Sequence, residues 1–218
     1  MQTILFDLDG TISNSEEGIT KCAQYALAAF GIEEPDSTAL RFFIGPPLIG
    51  TFMEHYGMNE TDARAAVDKY RERYNPTGIY ECSIYSGVKE TLIALRALGF
   101  QIGIASSKPE TSCKRVLEHL GIDSYFDEIV GATMDGRIDT KEEVLQETIR
   151  RMKLDNKKEV ILIGDTRFDV LGAKAVGIDC VGVTYGFGTK EELIESGVVH
   201  VCNSMEEVEV YLETVWMV

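Results

Sequence analysis

A chain of 218 residues with 44% hydrophobic and 26% charged residues can bury one α/β core, with room for a smaller insert, and is too apolar to stay disordered. Its net charge of −15 repels nucleic acid and anionic membrane surfaces and excludes both as expected partners. The same charge repels phosphate esters, so a phosphate site here must be made locally positive by a metal or by particular lysines and arginines. Five cysteines (Cys22, Cys82, Cys113, Cys180 and Cys202) with no Cys-x-x-Cys spacing fit reduced thiols better than a disulfide frame or a zinc site. No charged-then-apolar leader opens the chain, and no apolar run approaches the roughly 18 residues of a membrane helix. A soluble, cytoplasmic protein is expected.

The first apolar run, Thr3–Phe6, reads as a central parallel strand and ends directly on Asp7-Leu8-Asp9-Gly10-Thr11. Two carboxylates at i and i+2 can divide the work at one phosphate. The first can attack phosphorus, and the second can give a proton to the leaving oxygen and later take one from water. Together they can hold a hard cation such as Mg²⁺. The carboxyl end of a strand is also where open α/β sheets bind ligands. A calcium loop starting at Asp7 would need a glutamate at its twelfth position, where Gly18 stands.

From residue 15 to about 83 no strand pattern appears. Helices are expected over 16–30, 36–43, 48–55 and 60–75, with breaks at Gly31, Gly45-Pro46-Pro47, Gly57 and Asn75-Pro76. Residues 1–15 and 84–218 then form the core, and 16–83 an inserted helical cap placed over the aspartates. Arg41, beside Phe42-Phe43-Ile44-Gly45, is the candidate for contacting an anionic or polar leaving group.

Short apolar runs then alternate with amphipathic stretches, giving strands at 101–105, 128–131, 160–163 and 180–184 and a short one at 199–202, in a parallel sheet flanked by helices. Ser106 ends the first of these and could bond a phosphoryl oxygen, with the Lys108 charge nearby. Thr140 and Glu143 make a capping box that puts Lys141 at the first position of a helix, where a cation opposes the dipole at a cost of a few tenths of a kcal/mol. Contact with both a nucleophilic carboxylate and the phosphate would explain it there. Asp135-Gly136-Arg137-Ile138 with Glu142 mimics half of a calcium loop, but its first ligand positions fall on Gly131 and Thr133. Asp165 leaves the strand 160–163 directly, and Asp169 follows four residues on, supplying a third and a fourth carboxylate. Tyr185-Gly186-Phe187-Gly188 lacks the Gly-x-Gly-x-x-Gly order, and no Walker-type Gly-Lys-Ser/Thr occurs. His55, His119 and His200 are scattered and build neither a triad nor a zinc centre. The apolar segment 211–218, with Trp216, can pack onto the core or meet a partner.

Taken in order, Asp7-Leu8-Asp9-Gly10-Thr11, Ser106, Lys141 and Gly164-Asp165-Thr166 with Asp169 resemble the haloacid dehalogenase superfamily of phosphohydrolases, nearly end to end. The insert resembles the type with a cap between the first and second motifs. Phe43-Ile44-Gly45-Pro46-Pro47-Leu48, Ser107-Lys108-Pro109 and Tyr185-Gly186-Phe187-Gly188 are similar to the phosphoglycolate phosphatase-like branch. One departure is Glu142, which follows Lys141 where many relatives have proline; no other lysine between Lys114 and Lys153 competes.

The resemblance implies a doubly wound, Rossmann-like parallel sheet with an inserted α-helical cap. It implies Asp7 as a nucleophile forming an aspartyl-phosphate and Asp9 as general acid and base. Ser106 and Lys141 would hold the phosphoryl group. Asp7, the Asp9 carbonyl and Asp165 would bind Mg²⁺, with Asp169 in support. Gly10, Thr11, Ser107, Lys108, Arg41 and Gly45 fall on the phosphate and substrate side. Dehalogenases and phosphonate hydrolases of the superfamily lack the second acid, so Asp9 favours phosphate monoesters, though phosphomutases keep it. The expected protein is a Mg²⁺-dependent phosphatase of small phosphorylated metabolites (phosphoglycolate-like, nucleotide or sugar phosphate), a monomer or weak homodimer. The alternatives are a sugar phosphomutase and a non-catalytic regulatory protein; four clustered carboxylates without a cation would repel one another, which opposes the latter.

Overall fold

Ile4, Leu5 and Phe6 are fully buried in the computed structural model of the protein, which describes residues 2–216. A strand apolar on both faces needs neighbours along both edges and helices on both sides, and β1 (Thr3–Phe6) has the two neighbours. After it come β2 (Ser13–Asn14), α1 (Glu16–Ala28), α2 (Leu48–Tyr56), α3 (Glu60–Tyr74) and β3 (Ser83–Ile84). The remainder alternates: α4 (Val88–Ala97), β4 (Gln101–Pro109), α5 (Glu110–Leu120), β5 (Glu128–Ala132), α6 (Lys141–Met152), β6 (Val160–Gly164), α7 (Arg167–Val176), β7 (Asp179–Val183), α8 (Lys190–Ser196), β8 (His200–Cys202) and α9 (Met205–Trp216).

The main sheet has the order β5-β4-β1-β6-β7-β8, with every neighbouring pair parallel. The chain builds outward from β1 on one side to β4 and β5, then returns to build β6, β7 and β8 on the other. This is the expected doubly wound sheet, and its order reverses at β1, where such folds place ligands. Leu5, Ala105, Val130, Leu145, Leu162 and Val170 belong to one buried apolar cluster that ties the sheet to α6 and α7.

The chain divides into two compact units. One comprises the residues up to Ser13 together with those from Ile84 onward, and the other is Asn14–Ser83. The two crossings fall in β2 and β3, which pair as a separate two-stranded sheet.

Three local outcomes differ from expectation. Residues 36–43 form a 3₁₀ helix, Ser37–Phe43, rather than an α-helix. The Asp36 side chain caps it at Thr38 N, Ala39 N and Ile44 N donate to carbonyls three residues back, and Gly45-Pro46 stops it before an α-turn can propagate. The strand expected to end at residue 105 runs on to Pro109, but its register breaks. Ser106 pairs with Gly131 and Pro109 with Ala132, so Ser107 and Lys108 bulge out of the ladder. Finally, the Trp216 ring packs on Phe100, with centroids 5.6 Å apart, and its carbonyl accepts from Gln2 Nε2. Of the two readings for 211–218, the described part packs onto the sheet unit; residues 217 and 218 lie outside the described residues. Among the described residues no helix is long and apolar enough to cross a membrane.

Candidate active site

The site is built from the carboxyl ends of β1, β4 and β6 and from the first turns of α6 and α7. Asp7 follows β1 at once and remains in the sheet through Asp7 N donating to Ile163 O at 2.9 Å. Lys141 begins α6 after the capping box of Thr140 and Glu143. Its ammonium is 2.7 Å from Asp7 Oδ1, 2.9 Å from Ala105 O and 2.8 Å from Asp169 Oδ1. Three donors thus face three oxygens, which explains a cation at an unfavourable helix position. Burial alone would depress the lysine, but the Asp169 and Asp7 carboxylates outweigh it and hold the ammonium well above the ordinary lysine value. At Asp7 burial is the largest influence and raises the carboxyl; Lys141 pulls it back, Asp169 and Asp9 add to the rise, and it ends at about 6.

Asp165 follows β6 and is fully buried. Its Oδ1 accepts from Thr11 Oγ1 at 3.3 Å and its Oδ2 from Phe187 N at 2.7 Å. Tyr185 donates its hydroxyl to Thr11 O at 2.9 Å and closes the ring of contacts. The close approach requires glycine on two sides: a Cβ at Gly10 or at Gly186 would collide with the Asp165 carboxylate, and Gly10 also stands at φ +90. Burial first, then Asp169 and Asp7, push the Asp165 carboxyl well above its usual range; Phe187 N and Lys141 oppose them. Asp169 is the third residue of α7. Its Oδ2 caps the helix by accepting from Thr166 N and Thr166 Oγ1, which leaves Oδ1 to Lys141.

Asp7, Asp165 and Asp169 each offer an oxygen within 4.8 Å of the others. Three buried carboxylates face one ammonium, and all the donors are hard oxygens. The set therefore has both the ligand type and the charge deficit that suit a small divalent cation. The Asp9 side chain lies outside this group, with Oδ2 2.6 Å from Lys108 Nζ.

The remaining expected residues are distributed unevenly. Ser106 is buried, and its Oγ accepts from Lys108 N at 3.3 Å. Ser107 is half-buried in the bulge. Gly10 N donates to Ser13 O, so that amide is committed to its turn, and the Thr11 hydroxyl serves Asp165. Arg41 and Gly45 belong to the helical unit, where Arg41 makes a bidentate pair with Glu16, Nε to Oε1 at 2.7 Å and Nη2 to Oε2 at 3.0 Å. Sequence reasoning marked the 185–188 loop at a strand end but gave Tyr185 and Phe187 no role, and it missed the Ala105 carbonyl. The two glycines of the 185–188 loop were a usable signal for the first two, but nothing in a sequence marks a backbone carbonyl.

The chain matches the haloacid dehalogenase-like hydrolase family over residues 4–183. It is 41% identical to a 5′-nucleotidase of Pseudomonas aeruginosa across 97% of this chain and 95% of that protein. It is 28% identical to a phosphoglycolate phosphatase of Colwellia psychrerythraea across 90% of each. The crystal structure of a predicted phosphatase from Clostridium acetobutylicum superposes with a TM-score of 0.95 and 39% identity, covering 98% of each chain.

Proposed function

The chain belongs to the haloacid dehalogenase-like hydrolases, as a hydrolase of phosphate monoesters, and we propose that it acts on small phosphorylated metabolites with Mg²⁺ through a phosphoryl group carried on Asp7. The observation that carries this reading is the buried set of Asp7, Asp165 and Asp169, with Asp7 and Asp169 paired to one lysine ammonium.

Asp7 carries the attacking oxygen. Its bond to phosphorus forms as the ester P–O bond breaks, and Asp9 gives a proton to the departing oxygen. Water then attacks the phosphorus of the aspartyl-phosphate, Asp9 takes the water proton, and inorganic phosphate leaves with Asp7 restored. Lys141, which must turn one donor from its present acceptors to the substrate, and the Ser106 hydroxyl hold the phosphoryl oxygens in place. Asp7, Asp165 and the Asp9 carbonyl would hold Mg²⁺, with Asp169 in support, and such an ion would supply the charge neutralisation that phosphoryl transfer needs most. Thr11 and Phe187 fix Asp165 in advance.

Choice of leaving group is assigned to the helical unit as a cap, with Arg41 as its contact. The reading includes a monomer or weak homodimer in the cytoplasm, the compartment being supported by the odd cysteine count without paired spacing.

The test is inorganic phosphate release from nucleoside 5′-monophosphates, phosphoglycolate, sugar phosphates, pyrophosphate and phosphotyrosine, with Mg²⁺ and with EDTA. We expect release from one class, lost in EDTA and reduced by about 10⁴-fold or more in Asp7→Asn, as for other nucleophile deletions. A folded, Mg²⁺-binding protein that releases phosphate from none of them overturns the reading in favour of a phosphomutase or a non-catalytic protein.

A further inference from the structure

Lys108 stands in an unusual place for a lysine. It lies in the bulge of β4, and its side chain is 7% exposed against an Asp9 side chain that is 10% exposed, with Nζ 2.6 Å from Oδ2. The other Asp9 oxygen, Oδ1, is buried and has no hydrogen-bond partner among the described residues. The bulge itself depends on the neighbouring strand. A Cβ at Gly131 would collide with Lys108 O and come within 2.6 Å of Glu110 N. Cys113 Sγ meets the same Lys108 carbonyl at 3.4 Å. The backbone around Lys108 is therefore fixed from two directions.

We propose that Lys108 is a positioning residue for Asp9, holding Oδ2 so that the proton exchanged with the leaving group is carried on Oδ1. An ammonium can only donate. Oδ2 can accept from it whether Asp9 is ionised or protonated, so the exchangeable proton is confined to the oxygen that Lys108 does not touch. In the first step that proton passes from Oδ1 to the ester oxygen as the P–O bond breaks; in the second, Oδ1 takes one from the attacking water. The sequence grouped Lys108 with the phosphate contacts, whereas the structure gives its ammonium to the acid. The proposal rests on the phosphatase reading above.

The test compares kcat/KM of wild type and Lys108→Met on p-nitrophenyl phosphate, whose leaving group departs as a stable anion, and on a nucleoside 5′-monophosphate, whose alkoxide needs a proton. A misplaced general acid predicts a loss of about 10²-fold on the nucleotide and only a few-fold on the aryl ester. Equal losses on both substrates would show a phosphate contact and overturn the proposal, as would no loss on either. Asp9→Asn, measured beside it, reports on the premise. If that variant shows no leaving-group selectivity, the role of Asp9 fails rather than that of Lys108. Adding Lys108→Met to Asp9→Asn should cost nothing further; additive losses also overturn the proposal. Should Lys108→Met fail to fold, Gly131→Ala displaces the bulge while keeping the lysine charge. The same selective loss is expected there, and an equal loss on both substrates counts against positioning.

Discussion

Lys141 and Arg41 are both cations paired with carboxylates, and they teach different things. The Lys141 side chain is 6% exposed and touches two aspartates of the sheet unit. The Arg41 side chain is 59% exposed and pairs with Glu16 of the helical unit. In the first place water cannot replace a lost partner, so every charge needs its counterpart in one geometry. In the second, water and salt screen the pair, and it contributes at most about 1 kcal/mol. The helical unit repeats the pattern: Lys21–Glu17 within α1, and Arg64–Glu60 and Lys69–Glu72 within α3, are exposed pairs. Among the described residues of the sheet unit, the buried charged side chains Asp7, Lys141, Asp165 and Asp169 gather in one place, the candidate site.

The largest effect that could break this contrast is at Lys141. Lys141→Met should lower kcat by about 10²–10³-fold, the usual result of deleting one preorganised charge contact. It should also lower stability in EDTA at pH 7 by about 3–5 kcal/mol in urea unfolding, because Asp7 and Asp169 lose the ammonium that both of them pair with. A loss below tenfold in kcat would mean the site is not organised around this lysine.

A smaller effect concerns pH. The Asp7 carboxyl is raised to about 6 by burial, and Asp165 is raised by the same cause. An acid raised on folding binds more protons in the native than in the unfolded state between its two values, so stability falls as pH rises through that window. In EDTA the protein should lose about 2 kcal/mol from Asp7 between pH 4.5 and 6.5, with Asp165 acting in the same direction, measured as the urea midpoint at each pH. Millimolar Mg²⁺ should remove most of that loss at the upper pH, since a ligand bound only to the native state stabilises it. A urea midpoint indifferent to Mg²⁺ at pH 6.5 would remove the cation from the site.

The smallest effect is expected at Arg41. Arg41→Ala should change stability by less than about 1 kcal/mol while raising KM for the best substrate at unchanged kcat. An unchanged KM would leave Arg41 as a surface pair and nothing more.

These residues also show what a sequence can and cannot reveal. The aspartates at the end of β1 were legible because an apolar run followed by Asp-x-Asp-Gly fixes both strand and turn. Lys141 was legible through a conflict, a good capping box that places a cation against the dipole. Asp165 and Asp169 were found, but α7 begins only at Arg167. They meet as a strand end and a third helical residue rather than as two turns of one helix. The partner of Lys108 was hidden, because it depends on a bulge that a glycine in a different strand permits. The grip of Tyr185 and Phe187 on Asp165 was hidden for a similar reason, since it joins segments more than 150 residues apart through an amide and a carbonyl. Local pattern reports local structure; contacts made through backbone atoms across the sheet leave no mark on composition.

The central position of β1 has a consequence in time. Its two neighbours, β4 and β6, begin about 100 and about 160 residues later. A ribosome adding about 5–20 residues per second takes roughly 8–30 s to reach the second of them. During that interval Ile4, Leu5 and Phe6 are an unpaired apolar edge, while the helical unit, whose helices lie close together in sequence, can already fold. The strand that leads into Asp7 is thus made long before the second of its neighbours exists to enclose it.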